Sequence, residues 1–292
     1  GREPLAFEVG DFNGDKIPDI AVNNYGDGNI AIILGQKDGV FKQKSKIKVG
    51  RLPIGVSVGD FNNDAKLDLA ITLRFDKLVI LLGIGDGSFK MGEVYKASGT
   101  PSYMSVGDFD NDKNIDIAIA FNGVRVNFIR VFHGNGDGTF KPPVKVLGGK
   151  QSAFITQHDL NNDDRADLII SSTMNDVIKI FLNNGRNGFI SFEDAAAEKG
   201  PEYIVPGDFT GDNIPDLAVA NRRDASISIL QGRGDVSFVF PHFNYPAGAN
   251  ARAMVGADFN DDGLTDLALL IYDKQMLEII LRKNSVPDQM DF

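Results

Sequence analysis

One acidic loop of nine residues recurs six times along this chain of 292 residues, and that recurrence restricts the fold more than any other feature. In its most charged copy, VGDFDNDKNIDIAIA, Asp108, Asp110, Asp112 and Asp116 hold loop positions 1, 3, 5 and 9, and an apolar β-branched run follows at once. The other copies are Asp11, Asn13, Asp15 and Asp19; Asp60, Asn62, Asp64 and Asp68; Asp159, Asn161, Asp163 and Asp167; Asp208, Thr210, Asp212 and Asp216; and Asp258, Asn260, Asp262 and Asp266. Their first aspartates are 49, 48, 51, 49 and 50 residues apart. A period of this size implies one supersecondary unit per repeat, each covering its neighbour's apolar face.

Carboxylates this close repel and raise one another's pKa values unless a cation sits among them. Alternate side chains of a tight loop converge on one point, so a hard divalent ion with oxygen ligands fits, and calcium is expected in up to six loops. Position 7 would add a backbone carbonyl, from Ile17, Lys66, Asn114, Arg165, Ile214 and Leu264. Position 6 should turn at positive φ, which suits Gly263, Asn213 and Asp164 and strains Lys16, Ala65 and Lys113. The alternative is an Asx-turn, in which the aspartates only satisfy nearby amides. The loops hold 19 of the 40 acidic residues, and six divalent ions would shift the formal charge of −10 to about +2. The acidity is therefore internal ligand charge rather than an acidic surface.

Each repeat has four beats: a short segment before the loop (5–9, 54–58, 102–106), an apolar strand after it (19–22, 68–72, 116–120), a third strand (30–34, 78–82, 129–132, 177–182, 226–230, 277–281), and a Gly-Asp-Gly turn leading through Phe to a fourth strand, as in 85–90 and 136–141. Four short strands per unit match a propeller blade. The pattern xxVGDFNxDxxxDLAVxN followed by VxILLGxGDGTF resembles the FG-GAP and VCBS repeats of integrin alpha-subunit propellers and many secreted proteins. The expectation is an all-β, six-bladed propeller of four antiparallel strands per blade, one domain over 1–292 with repeats at about 1–49, 50–98, 99–147, 148–198, 199–247 and 248–292. The sixth repeat lacks the Gly-Asp-Gly turn. Residues 286–292 supply its fourth strand, or the ring closes imperfectly, or the chain is part of a longer or seven-bladed propeller.

The resemblance implies a calcium-stabilised recognition or adhesion module, extracellular or at the cell surface, with an extracellular protein or glycan as partner. The chain would be a monomer or part of a larger chain. In each blade the loops joining strands two and three lie away from the acidic loops and vary most. They nominate Tyr25, Arg74, Phe75, Arg222, Arg223 and Tyr272 for partner binding, with residues 121–127, Arg51 and Arg252 nearby. Arg233-Gly234-Asp235 replaces a Gly-Asp-Gly turn and reads as repeat drift. Most of the 21 phenylalanines sit at fixed repeat positions (12, 61, 109, 209, 259; 41, 89, 140, 189, 238) and are expected between blades. There is no Trp to build a sugar platform and no Cys for disulfides or thiolate chemistry. Nothing suggests nucleic-acid binding, and the longest apolar segment, 267–272, is too short to span a membrane. His133, His158 and His242 occupy unrelated repeat positions, so no enzyme is expected. The alternatives are a displayed structural repeat, and a polysaccharide lyase or hydrolase using Glu8 or Glu202 in a central channel.

Overall fold

The computed structural model describes residues 1–121, 128–147, 152–185, 188–240, 242–247 and 251–282, without the side chain of Arg252. Among them are 24 strands and no helix, so none that is long and apolar enough to cross a membrane. The strands form six antiparallel sheets, each an up-and-down meander in chain order. Two compact units, Gly1–Gly148 and Gly149–Phe292, hold three sheets each.

In the first unit, blade one is β1 (Pro4–Gly10), β2 (Asp19–Asn24), β3 (Asn29–Gly35) and β4 (Phe41–Lys48). Blade two is β5 (Pro53–Gly59), β6 (Asp68–Leu73), β7 (Lys77–Gly83) and β8 (Phe89–Lys96), and blade three is β9 (Pro101–Gly107), β10 (Asp116–Phe121), β11 (Phe128–Phe132) and β12 (Val144–Leu147). The second unit holds blade four, β13 (Ser152–His158), β14 (Asp167–Ser172), β15 (Val177–Asn183), β16 (Phe189–Ser191) and β17 (Ala195–Ala196). Blade five follows with β18 (Pro201–Gly207), β19 (Asp216–Asn221), β20 (Ser226–Leu230) and β21 (Phe243–Pro246), and blade six with β22 (Ala251–Ala257), β23 (Asp266–Ile271) and β24 (Met276–Ile280).

The second and third strands are apolar on both faces where a blade lies between two others, as blade two does. Ala21, Ile30 and Ile32 of blade one pack on Leu69, Ile71 and Leu81 of blade two, while Ala70, Leu78 and Ile80 on the other face of blade two pack on blade three. Blades four and five repeat the arrangement through Ile169, Ile178 and Ile180 against Leu217, Val219 and Leu230. The outermost strand of blade one carries Lys42, Lys44, Lys46 and Lys48, charges that discourage further pairing along an exposed edge.

The fourth strands depart from expectation in three blades. Residues 136–141 do not run into a continuous strand: Phe140 makes only an isolated bridge to Gly134, and β12 starts after Pro142-Pro143. Proline has no amide to give the ladder, so the strand resumes beyond the pair. Blade five has the same break around its Gly232–Phe238 bridge, and blade four splits its outer strand into β16 and β17. In blade six three strands are described, and the proposed fourth strand at 286–292 lies outside the described residues.

The phenylalanines divide likewise. Phe12, Phe61, Phe109, Phe140 and Phe209 are buried as expected, whereas Phe41 is exposed and Phe259 is 43% exposed. In blade six Leu277 and Ile279, counterparts of the buried Ile30 and Ile32, are exposed among the described residues.

Candidate functional site: the acidic loops and the hairpin turns

All six acidic loops share one hydrogen-bond pattern. The position 6 amide donates to Oδ2 of the position 1 aspartate, for example Lys16 to Asp11 at 2.8 Å, Lys113 to Asp108 at 2.8 Å and Gly263 to Asp258 at 2.7 Å. The position 7 amide donates to the position 5 aspartate, as Ile17 does to Asp15 and Leu264 to Asp262. Position 6 is left-handed in every copy, including the unsuited Lys16 (φ 65°), Ala65 (φ 63°) and Lys113 (φ 70°). Position 4 is left-handed too, at Gly14, Asn63, Asn111, Asn162, Gly211 and Asp261. That requirement is visible in the sequence as an unbroken column of Gly, Asn and Asp.

Position 9 has a second task. Its side chain is fully buried in every copy. One Asp68 oxygen accepts the Phe61 amide at 2.9 Å and the other the Gly83 amide at 2.7 Å, fastening the loop to the end of the third strand. Asp19, Asp116, Asp167, Asp216 and Asp266 do the same for Gly35, Gly134, Asn183, Gly232 and Arg282. Burial pushes Asp68, Asp167 and Asp216 up to about 6, outweighing the backbone amides that bond them.

The donor set fits a hard divalent cation. Asn161 Oδ1 and Asp110 Oδ1, both at position 3, are buried without a hydrogen-bond partner, as oxygens meant for an ion would be. Loop three is the one that brings three carboxylates, from Asp108, Asp110 and Asp112, within 4.8 Å of one another among the described residues. In loop one Asn13 Oδ1 instead accepts the Asp15 amide, and in loop six Asn260 Oδ1 accepts that of Asp262.

Loop three also contains a residue the repeat pattern passes over. His133 is 6% exposed, with Nδ1 2.9 Å from Asp116 Oδ2 and 3.4 Å from Asp110 Oδ2. Lys141 Nζ stands 3.6 Å from Asp110 and 3.3 Å from Asp112. The hydrogen bond to Asp116 raises the imidazole pKa despite burial. His133 occupies the register of Leu34 and Leu82, and only this loop has Asp at position 3. Scanning for a histidine and an acid that depart from the repeat together would have found it.

At the opposite end of the strands in the first unit, the hairpin turns join nominated residues: Arg74 Nη1 donates to Tyr25 Oη at 2.5 Å, and Phe75 beside it is 59% exposed. In the second unit Arg222 lies 3.7 Å from Glu202 and Arg223 3.9 Å from Asp176, both side chains about half exposed, and Tyr272 is exposed. Asn23 proves structural: its Oδ1 accepts the Leu5 and Ala6 amides at a bulge, and its Nδ2 donates to Ile54 of the next blade. Residues 122–127 and the Arg252 side chain lie outside the described residues. The two acids proposed for a channel belong to different units; burial pushes Glu8 up to about 7, and Glu202 is paired with Arg222. A pocket of about 260 Å³ at the outer strands of blades four and five is lined by Phe192, Asp194, Phe238, Phe240 and His242. Sequence reasoning missed it because its walls come from irregular outer strands.

Six antiparallel blades, five with four or more strands and one with three among the described residues, each opened by an acidic loop, define a six-bladed β-propeller. The FG-GAP-like repeat model matches residues 11–71, 60–119, 108–170, 159–219 and 208–269, and the chain belongs to that family. No curated protein matches the chain in sequence. Among solved structures, BBS1N, crystallised in complex with ARL6DN, is similar with a TM-score of 0.68 and 13% identity, over 97% of this chain and 79% of that one. A lectin from Agrocybe aegerita, whose structure concerns recognition of non-reducing terminal N-acetylglucosamine, has a TM-score of 0.62 and 16% identity over 91% and 74%. A functionally unknown protein from Desulfotomaculum acetoxidans has a TM-score of 0.66 and 11% identity over 96% and 86%.

Proposed function

We propose that this protein is a calcium-stabilised extracellular recognition module, with the acidic loops as structural clamps and the hairpin turns between second and third strands as the binding end. The observation that carries this reading is the contrast between the two ends of the blades. The acidic loops turn their polar groups inward onto their own amides, whereas Arg74, Tyr25 and Phe75 form a cation and aromatic cluster with Phe75 in solvent. Exposed aromatic and arginine side chains on rigid hairpins are the material of protein recognition. A propeller of similar fold is held in a complex with ARL6DN, which supports a protein partner.

Calcium would be held by the aspartates at positions 1, 3, 5 and 9, with position 3 Asn or Thr where Asp is absent. Bound, it supplies the positive charge that lets those carboxylates stay together. A glycan partner has one observation in its favour, the aromatic and acidic pocket between the outer strands of blades four and five. The test is a screen of extracellular proteins and glycans with and without millimolar calcium, using R74A, F75A and F240A. Loss of a calcium-dependent protein ligand in R74A and F75A is expected. Loss confined to F240A would move the site to the pocket, and binding indifferent to all three would overturn the reading. Thermal melting reads the clamp separately: calcium should raise the midpoint over chelator, and an unchanged midpoint removes it.

A further inference from the structure

We propose that loop three binds a borderline transition-metal ion of the zinc class through His133 Nδ1 and the carboxylates of Asp110 and Asp116, while the other loops keep an all-oxygen set. The inference deepens the metal-loop part of the function proposed above. These three residues each offer a ligand atom within 4.8 Å of the others.

The separations suit such an ion. Zinc-class metals hold nitrogen and oxygen at about 2.0–2.2 Å, which spaces neighbouring donors roughly 3.0–3.4 Å apart in octahedral or tetrahedral geometry. His133 Nδ1 stands 2.9 Å from Asp116 Oδ2 and 3.4 Å from Asp110 Oδ2. Asp110 has a side chain only 5% exposed, and its Oδ1 is buried with no hydrogen-bond partner. A buried carboxylate oxygen left without a donor is destabilising unless something positive reaches it. An imidazole nitrogen directs the choice of metal, because calcium prefers oxygen while zinc, cobalt and manganese accept nitrogen beside carboxylate.

The surroundings prearrange the ligands. Asp116 is held by the Phe109 amide on Oδ2 and the Gly134 amide on Oδ1, so its carboxylate is fixed before a metal arrives. Such outer contacts orient ligands and sharpen affinity. Nδ1 would coordinate the ion as the neutral imidazole that carries its one proton on Nε2, and an imidazolium would release its Nδ1 proton to solvent. Lys141, 3.6 Å from Asp110 and half exposed, competes with the ion and must swing outward. Blades one, two and four have Leu34, Leu82 and Leu182 in the register of His133, so the site is peculiar to this blade among those three comparisons.

The test uses the full chain, stripped with chelator and restored with millimolar calcium, then titrated with Zn²⁺ by calorimetry and with Co²⁺ by visible absorption. One site per chain that calcium does not displace is expected, with a cobalt d–d band. H133L, which installs the leucine of blades one, two and four, should lose the band and weaken zinc by at least about tenfold. K141M should tighten it several-fold. The calcium-dependent melting shift of H133L reports whether the variant still folds and whether the calcium clamp holds, independently of zinc. Zinc affinity unchanged in H133L, absence of any zinc site in the wild type, or zinc displaced by calcium would each overturn the proposal.

Discussion

The most consequential residue of each repeat is the aspartate at position 9. Its spacing nominates it as a ligand, and the folded chain uses it to close a loop onto a strand. Asp68→Ala would leave the Phe61 and Gly83 amides without acceptors inside the sheet. Each such amide is worth about 1–3 kcal/mol, so a loss of about 2–6 kcal/mol is expected in urea unfolding. Measured in chelator, this loss is independent of metal, and a change below about 1 kcal/mol would show the fastening is unimportant. The left-handed positions 4 and 6 were partly legible: Gly14 and Asn63 announce positive φ, but Lys16 and Ala65 do not, because there the neighbouring hydrogen bonds hold the backbone against its preference. Val236 is a sharper instance, a β-branched residue at φ 70° in a register where Gly87 and Gly138 stand. It is buried beside Leu160 in the core between blades four and five, and the packing compensates the strain.

Among elements, the second and third strands were readable almost to the residue, since apolar runs bounded by Asp and Gly leave little choice. The expected 68–72 and 78–82 became Asp68–Leu73 and Lys77–Gly83. Outer strands were not, because they touch one neighbour and tolerate Pro142-Pro143 or a split. Burial separates equivalent positions in different blades. Ile80 is fully buried between blades two and three, while Ile279, in the same register of blade six, is 50% exposed. Ile80→Ala is therefore expected to lower stability by about 2–5 kcal/mol. Ile279→Ala should lower it by less than about 1 kcal/mol, read by denaturant unfolding of both variants. Equal losses would mean that the face of blade six is covered in solution. The polar residue bridging blades follows the same logic: Asn23 and Ser171 bond the carbonyls of Ile54 and Glu202 in the next blade, and blade six has Leu270 in that register, exposed.

For the whole molecule, 19 of the 40 acidic residues sit at positions 1, 3, 5 and 9 of the six loops. If the loops take divalent ions, millimolar calcium should carry the electrophoretic mobility at pH 7.5 from strongly anionic to near zero, as the formal −10 is offset. Mobility unchanged on calcium addition would refute the loop account. The sequence by itself determined the period, the order of the first three strands within each blade, the register of the acidic loops and the family, because all of these are short-range patterns repeated along the chain. Only the tertiary structure decided which loop gathers an imidazole. His133 lies 17 residues beyond Asp116 and meets it because β10 and β11 pair antiparallel, a contact that no local spacing encodes. It likewise decided that Arg74 meets Tyr25 of the preceding blade, since packing between blades joins residues 49 apart in the chain. At one end of the blades carboxylates are tied to the amides of their own loops, and at the other Phe75 stands exposed beside Arg74.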